Sequence, residues 1–402
     1  MITEIQIEGF KNLEKVKLTL GRLNLFVGTN ASGKSNFLDA LRLLQGIGYG
    51  FTVNEILNGK PKSAKSEVWE GIRGGSGYAT FRKIGHADYS PIIFSVNLTI
   101  DTHNFKYEIK LDAETGTVFS ESLNHNNQSL FTTTEKVDGR PYIRARIPKR
   151  TGKGHPPISE FDHSRPLLHQ IAMHNECPNS SRQGIELCIK TLSNAQRIDP
   201  QPLLLRTYSS AHEVNRMGER GENFAALVKT ILKDEKSKSA YLSWLQQLTP
   251  ADIDDVLVLS GALQEPLFAV KEKGVECPAP ILSDGSLRFA AITAAFFQPD
   301  PPDILTIEEI ENGIHASRVR LLVELLKSRA ADRLQVMATT HSPIVLAWLK
   351  ESDYRTVFLC KRDEVTGAAE IVPLTEVPNF LEIVRKQPIA DLFAEGWLEG
   401  AL

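Results

Sequence analysis

With 402 residues, 42% of them hydrophobic and 24% charged, the chain is long enough for two or three domains with a large buried core, and its composition is that of a soluble globular protein. A formal net charge of −3 excludes a global positive field, so any contact with nucleic acid or an anionic membrane has to be local. Four scattered cysteines (177, 188, 277 and 360) without a Cys-x-x-Cys pair exclude a zinc ribbon and a disulfide framework and point to a reducing cytoplasm; there is no signal peptide and no window near the roughly 20 apolar residues of a membrane span.

Residues 2–8 alternate apolar and polar side chains, which predicts a half-exposed strand. Gly9-Phe10-Lys11-Asn12 turns the chain into a second strand, Leu13 to Leu20, and Gly21-Arg22 turns it into the apolar run Leu23 to Val27. There follows Gly28-Thr29-Asn30-Ala31-Ser32-Gly33-Lys34-Ser35, and then a predicted helix from Asn36 to Leu44. Strand, glycine loop and helix form the setting of a phosphate-binding loop. The glycines let the backbone curl so that several N–H groups face one anion, and the helix N-terminus adds partial positive charge. Lys34 is placed to reach the β- and γ-phosphates and Ser35 to ligate Mg²⁺. Gly28, Asn30, Gly33, Lys34, Ser35 and Asn36 are the candidate nucleotide-binding residues of this stretch.

From Ala79 to Ile147 short β runs dominate: Ile92 to Val96, Phe105 to Ile109 and Thr117 to Phe119, punctuated by turn signals at Thr115-Gly116, Asn126-Asn127 and Asp138-Gly139. They predict an antiparallel sheet annexed to the nucleotide-binding strands. Gly152 to Pro157 marks a boundary, and residues 165–275 read mainly as helices, the clearest carrying Phe224, Leu227, Val228, Ile231 and Leu232 at helical spacing. From Pro280 the pattern returns to α/β, with strands at Asp303–Ile307 and Leu334–Thr339, helices at Arg318–Ser328 and Ile344–Leu349, and two closing strands between Asp353 and Leu374. The expected organisation is an N-terminal lobe (1–164), a helical insertion (165–275) and a C-terminal lobe (276–402).

Three constellations in the C-terminal lobe carry chemistry. Glu308-Glu309 ends the strand at 304–307, where one acid holds Mg²⁺ and its neighbour accepts a proton from, or orients, an attacking water. Leu282-Ser283-Asp284-Gly285-Ser286 precedes an apolar helix and reads either as a second anion cradle or as a plain N-cap. Thr339-Thr340-His341-Ser342-Pro343 puts a histidine at the end of a core strand, where a histidine is more often structural than catalytic.

In this order, with Ile7-Glu8-Gly9-Phe10-Lys11-Asn12 and Glu308-Glu309-Ile310-Glu311-Asn312-Gly313-Ile314-His315, the segments resemble an ABC-type ATPase head of the RecF/SMC/OLD class, an α/β fold with a split P-loop core. Met217-Gly218-Glu219-Arg220-Gly221-Glu222-Asn223-Phe224 further resembles the stand-alone bacterial ATPases of that group. The resemblance implies ATP and Mg²⁺ as ligands and a homodimer in which Ser283, Gly285 and Ser286 of one copy close over the γ-phosphate held by Lys34 of another. It implies Glu308 as the metal-side acid, Glu309 as catalytic base, His341 as the γ-phosphate switch, Asn312 in the loop that signals across the dimer, and Lys11 at the nucleotide's edge. Heads resembling this one are commonly linked to anti-phage defence or DNA maintenance with a nuclease or toxin made separately, and with only residues 342–402 after His341 a fused nuclease domain is not expected. A RecF-like repair ATPase that holds DNA and a slow nucleotide sensor are the rival readings. Glu308 departs from the usual Asp, and no glutamine is assigned to metal coupling, Gln128 being the one candidate. The basic run with Arg140, Arg144, Arg146, Lys149 and Arg150 suits nucleic acid or a solvated edge. His169, His174 and Cys177 are read as ordinary helix residues.

Overall fold

A computed structural model describes residues 1–61, 69–84, 90–134, 141–148, 156–248, 253–331 and 334–401. The chain divides into two compact units. The first comprises Met1–Ala195, Arg355–Phe380 and Leu398–Leu402, the second Gln196–Tyr354 and Leu381–Trp397.

The first unit opens with the antiparallel pair β1 (Ile2–Phe10) and β2 (Leu13–Thr19), then β3 (Leu23–Val27) and α1 (Lys34–Gly48), followed by α2 (Val53–Asn58). Strands β4 (Ile92–Ile100), β5 (His103–Asp112), β6 (Thr117–His125), β7 (Gln128–Thr133), β8 (Tyr142–Arg146) and β9 (Ile158–Asp162) extend the first pair into an eight-stranded antiparallel sheet in the order β2-β1-β4-β5-β6-β7-β8-β9. Alternation along these strands sets the register: Ile5, Ile7, Phe94, Val96, Tyr107 and Ile109 lie on one buried face. The β6–β7 turn is Asn126-Asn127, both at positive φ (46° and 66°), the conformation a tight hairpin demands and Asn tolerates. Asp138-Gly139 lies outside the described residues. Helices α3 (Leu167–Ala172) and α4 (Asn179–Ser193) complete this stretch, and Gly48 of α1 sits so close to α4 that an added Cβ would meet the Ser193 nitrogen at 2.4 Å.

The second unit begins within β10 (Ala195–Ile198), at Gln196, and continues through α5 (Pro202–Leu205), α6 (Phe224–Ile231) and α7 (Glu235–Leu248) to a three-stranded antiparallel sheet of β11 (Ile253–Ser260), β12 (Pro266–Glu272) and β13 (Val275–Pro278). The helical character expected up to residue 275 therefore stops at Leu248. The runs Val256–Leu259 and Leu267–Val270 are short and bounded by turns, and Lys273-Gly274, at φ 48° and 82°, closes a two-residue hairpin. The unit goes on with α8 (Asp284–Ala295), β14 (Ile304–Ile307), α9 (Val319–Ala330), β15 (Gln335–Thr340) and α10 (Pro343–Leu346), with β10, β14 and β15 side by side and β14 parallel to β15.

The chain then returns to the first unit with β16 (Val357–Arg362), parallel to β3, and β17 (Ala369–Pro373), antiparallel to β16. Phe26 of β3 stacks between Phe37 of α1 and Phe358 of β16, with ring centroids 4.4 and 5.0 Å away. Each such buried ring contributes roughly 2–3 kcal/mol by area, so the strand and helix that flank residues 28–35 are firmly seated. Among the described residues no helix is long and apolar enough to cross a membrane.

One buried carboxyl couples this unit to pH. Glu121 on β6 accepts hydrogen bonds from Tyr107 Oη (3.1 Å) and from the Leu167 and Leu168 backbone N–H groups at the start of α3 (2.6 and 3.2 Å). Burial nevertheless dominates those bonds and pushes its pKa up to about 8. Between its ordinary value and about 8 the folded chain keeps a proton the unfolded chain has released, so this group's contribution to stability is full at low pH and lost as pH rises. Denaturant titrations are expected to show a stability that falls by up to about 1.4 kcal/mol per pH unit across that window. Glu121→Gln flattens the slope; an unchanged slope in the variant rules Glu121 out as its source.

Candidate functional site

The residues singled out from the sequence fall into two sets, one in each unit. In the first unit, residues 28–35 join β3 to α1. Gly28 lies against β16, where an added Cβ would stand 2.1 Å from the Cys360 carbonyl oxygen. Gly33, at φ 103°, immediately precedes α1, and its Cβ would stand 2.6 Å from Ala369 Cβ. Glycine is thus required at both positions by space and, at Gly33, by backbone conformation. Helix α1 has no side-chain cap and no acidic residue in its first turn, so its leading N–H groups and the positive end of its dipole face the loop. The Lys34 ammonium lies in the bend, 2.6 Å from both the Gly28 and Thr29 carbonyl oxygens and 3.4 Å from Ser32 Oγ. A curled backbone, an uncapped helix start and a lysine in the curl make a fit for a triphosphate.

Around the loop the structure adds contacts that no motif announces. Asn36 Nδ2 donates to Asn12 Oδ1 at 2.7 Å, tying the helix start to the β1–β2 turn. Lys11 gives its ammonium to Asp39, a fully buried carboxylate on α1. Arg73 joins them, with Nε 3.0 Å from Asp39 Oδ2 and Nη2 2.7 Å from the Ser35 carbonyl oxygen. The Lys11 ammonium is paired with Asp39, and Lys11 and Asn12 line a cleft with Tyr78, Arg82, Arg362 and Gly367. The signal for Asp39 was a lone carboxylate inside an apolar helix; for Arg73 there was none.

In the second unit, β14 ends at Ile307 and delivers Glu308 and Glu309. Glu309 stands at φ 43°, and its N–H donates to Thr339 Oγ1 on β15 at 2.9 Å. The left-handed turn there is a strained conformation for a non-glycine residue, held by that bond and by Arg288, whose Nη2 donates to the Glu308 and Glu309 carbonyl oxygens at 3.0 and 3.3 Å. Arg288 is buried on α8, and its other nitrogen reaches Asp199 Oδ1 and the Pro200 carbonyl oxygen at 3.0 and 2.9 Å. The Glu308 carboxylate faces Arg197 of β10, Oε1 to Nη2 at 3.1 Å.

His341 is half exposed and is no core-filling residue. Its backbone N–H donates to Glu311 Oε1 at 2.9 Å, and its Nδ1 lies 3.2 Å from the same oxygen. Glu311 Oε2 has no hydrogen-bond partner among the described residues. Ser283 caps α8, accepting from the Ser286 N–H at 3.1 Å and donating to Ser286 Oγ at 2.9 Å, so the helix-cap reading holds in this chain. Gly285 packs on the loop after the acid pair: its Cβ would meet the Gly313 carbonyl oxygen at 2.2 Å. The acid pair, the histidine turn and the Ser283–Ser286 cap are thus linked through Arg288, Thr339 and Gly313. Asn312 is exposed on the same loop.

Divalent magnesium prefers hard oxygen donors. In the first unit the Ser35 hydroxyl is such a donor; in the second the Glu308 carboxylate is another, with the Arg197 guanidinium beside it.

The remaining candidates are placed elsewhere. Gln128 is exposed at the β6–β7 hairpin tip and leaves the coupling glutamine unassigned. Arg144 pairs with Glu160 across β8 and β9 at 2.8 Å, Arg146 is exposed, and Arg140, Lys149 and Arg150 lie outside the described residues. His169 bonds the Gly48 carbonyl oxygen and His174 packs on Phe161, as ordinary helix-end residues do. No cluster of three metal-ligating side chains occurs among the described residues.

Residues 1–136 match the AAA ATPase domain family, and residues 231–347 match the family described as AAA domain, putative AbiEii toxin, Type IV TA system. The chain is 22% identical over 384 residues to an ATP/GTP phosphatase of Helicobacter pylori (strain ATCC 700392 / 26695), covering 90% of this chain and 93% of that protein. It is 24% identical over 378 residues to the DNA replication and repair protein RecF of Geotalea uraniireducens (strain Rf4), covering 85% and 93%. Its fold is similar to that of the SMC head crystallised with the C-winged helix domain of ScpA, with a TM-score of 0.50 at 14% identity over 92% of this chain and 96% of that one.

Proposed function

This chain is an ABC-type ATPase head of the RecF/SMC-like class, and from that premise we propose that it hydrolyses ATP as a two-copy, nucleotide-gated switch. The observation that carries the proposal is the Gly28–Lys34 cradle, whose two glycines cannot bear a side chain and whose lysine lies inside the curl. Lys34 and the α1 N–H groups bind the triphosphate, and the cleft beside Asn12 takes the nucleoside. Ser35 and Glu308 are the residues that would hold magnesium, which when bound would neutralise charge on the phosphates. Glu309 accepts the proton of the attacking water, and His341, braced by Glu311, senses the γ-phosphate. Ser283, Gly285 and Ser286 of a second copy complete the anion's coordination, so ATP joins two heads and hydrolysis parts them. A separately made effector, a nuclease or toxin in a bacterial defence or DNA-maintenance system, reads that change.

A RecF-like repair ATPase that holds DNA is the second reading, favoured by the similarity to RecF over 93% of that protein. One experiment separates the two. Steady-state ATP turnover and particle mass by light scattering are measured with and without ATP and duplex DNA. The switch reading expects ATP-dependent doubling of mass and turnover indifferent to DNA. Turnover stimulated by DNA and abolished in Arg144→Glu/Arg146→Glu supports the DNA reading, and no turnover above a Lys34→Ala control overturns both.

A further inference from the structure

We infer that Arg197 is a positioning residue that competes with the divalent cation for Glu308, and that Glu219 takes up its charge when the metal wins. The inference rests on the proposed ATPase reading and adds to it the regulation of metal entry. Arg197 and Glu308 are nearly buried, with side chains 14% and 15% exposed, and lie 3.1 Å apart. At that distance the guanidinium already neutralises a carboxylate that a magnesium ion has to claim. An intramolecular cation and a divalent ion cannot both draw fully on the same oxygens, so metal binding has to loosen the pair.

Loosening a nearly buried ion pair normally strands a charge, which is costly. Here a second carboxylate stands ready: Glu219 Oε1 lies 3.3 Å from Arg197 Nε. Glu219 belongs to Met217–Phe224, the segment that resembles stand-alone ATPases and otherwise has no chemical task. That segment is laid along the β10 stretch by three bonds: Gln196 Nε2 donates to the Met217 carbonyl oxygen at 2.7 Å, and the Asp199 and Gln201 N–H groups donate to the Glu219 and Arg220 carbonyl oxygens at 2.7 and 3.0 Å. Backbone pairing thus holds Glu219 against Arg197. Two residues on, Asp199 neutralises Arg288, the residue that holds the Glu308 and Glu309 carbonyls. β10 and the residue after it therefore supply Arg197, which pairs with the Glu308 carboxylate, and Asp199, which pairs with the arginine that holds the Glu308 and Glu309 carbonyls.

Competition predicts opposite signs from two substitutions. Arg197→Gln removes this guanidinium from Glu308 and is expected to lower the half-saturating Mn²⁺ concentration by roughly three- to tenfold, the scale of a single partly buried ion pair. Glu219→Gln shifts the share of Arg197 toward Glu308 and is expected to raise it. The readout is Mn²⁺ binding by electron paramagnetic resonance, on the full chain with a non-hydrolysable ATP analogue, independent of turnover. Shifts of the same sign, or none, overturn the inference, since mere loss of packing would weaken metal binding in both variants. Should Arg197→Gln fail to fold, Glu219→Gln decides by itself: an unchanged or lowered midpoint overturns the idea. A parent chain that binds neither analogue nor Mn²⁺ counts against the ATPase reading, whereas a parent that binds both while its variants do not shift counts against this inference alone.

Discussion

Glu309→Gln is expected to cut ATP turnover by roughly 10²- to 10⁴-fold, the usual contribution of a positioned general base, while ATP still binds and dimers accumulate. The substitution isolates chemistry from folding because, among the described residues, the hydrogen bonds that hold residue 309 fall on its backbone. Its N–H meets Thr339 Oγ1, its carbonyl accepts from Arg288, and its left-handed φ of 43° is set by the turn that follows β14. Gln keeps the size and the backbone and removes only the proton acceptor. A melting temperature within about 2 °C of the parent confirms that the scaffold is intact. Light scattering at saturating ATP then reads the second consequence: with hydrolysis blocked, mass doubles and stays doubled after excess nucleotide is removed. Monomers under those conditions sink the two-copy switch, whatever the turnover shows.

Removing Lys34, the proposed phosphate-binding lysine, is expected to strike earlier in the cycle. Lys34→Ala is expected to weaken ATP binding by roughly 100-fold, about 3 kcal/mol, the loss of charge-assisted hydrogen bonds from one nearly buried ammonium. Turnover and ATP-dependent mass change disappear with it. The variant also deprives the Gly28 and Thr29 carbonyl oxygens of their donor, so a small fall in stability accompanies the effect. Since the Phe26–Phe37–Phe358 stack anchors β3, α1 and β16 without Lys34, the fold itself is expected to survive. A fluorescent ATP analogue bound within about threefold of the parent affinity would remove Gly28–Ser35 as the triphosphate site.

Each pair of outcomes reports on a different distance scale along the chain. The cradle at 28–35 is contiguous, and its glycines, lysine and flanking strand and helix are all legible within some twenty letters, because backbone curling and helix capping are local physics. The same holds for the Asn126-Asn127 hairpin and for the Ser283 cap. The β11–β13 sheet escaped because runs of four to eight apolar residues look alike in strands and buried helices; the Lys273-Gly274 turn between β12 and β13 is the local signal that separates them.

By itself the sequence determined the order of the motifs, the fold class they imply and the residue types at the acid pair and histidine turn, since each depends on neighbours within one strand, turn or helix. The partners of those residues were decided by tertiary structure alone. Asp39 meets Lys11 and Arg73, Arg197 meets Glu308 and Glu219, and Arg288 braces two carbonyls some twenty positions away. Charges pair by proximity in space, and no periodicity along a chain records which distant side chain a given strand order will bring within 3 Å.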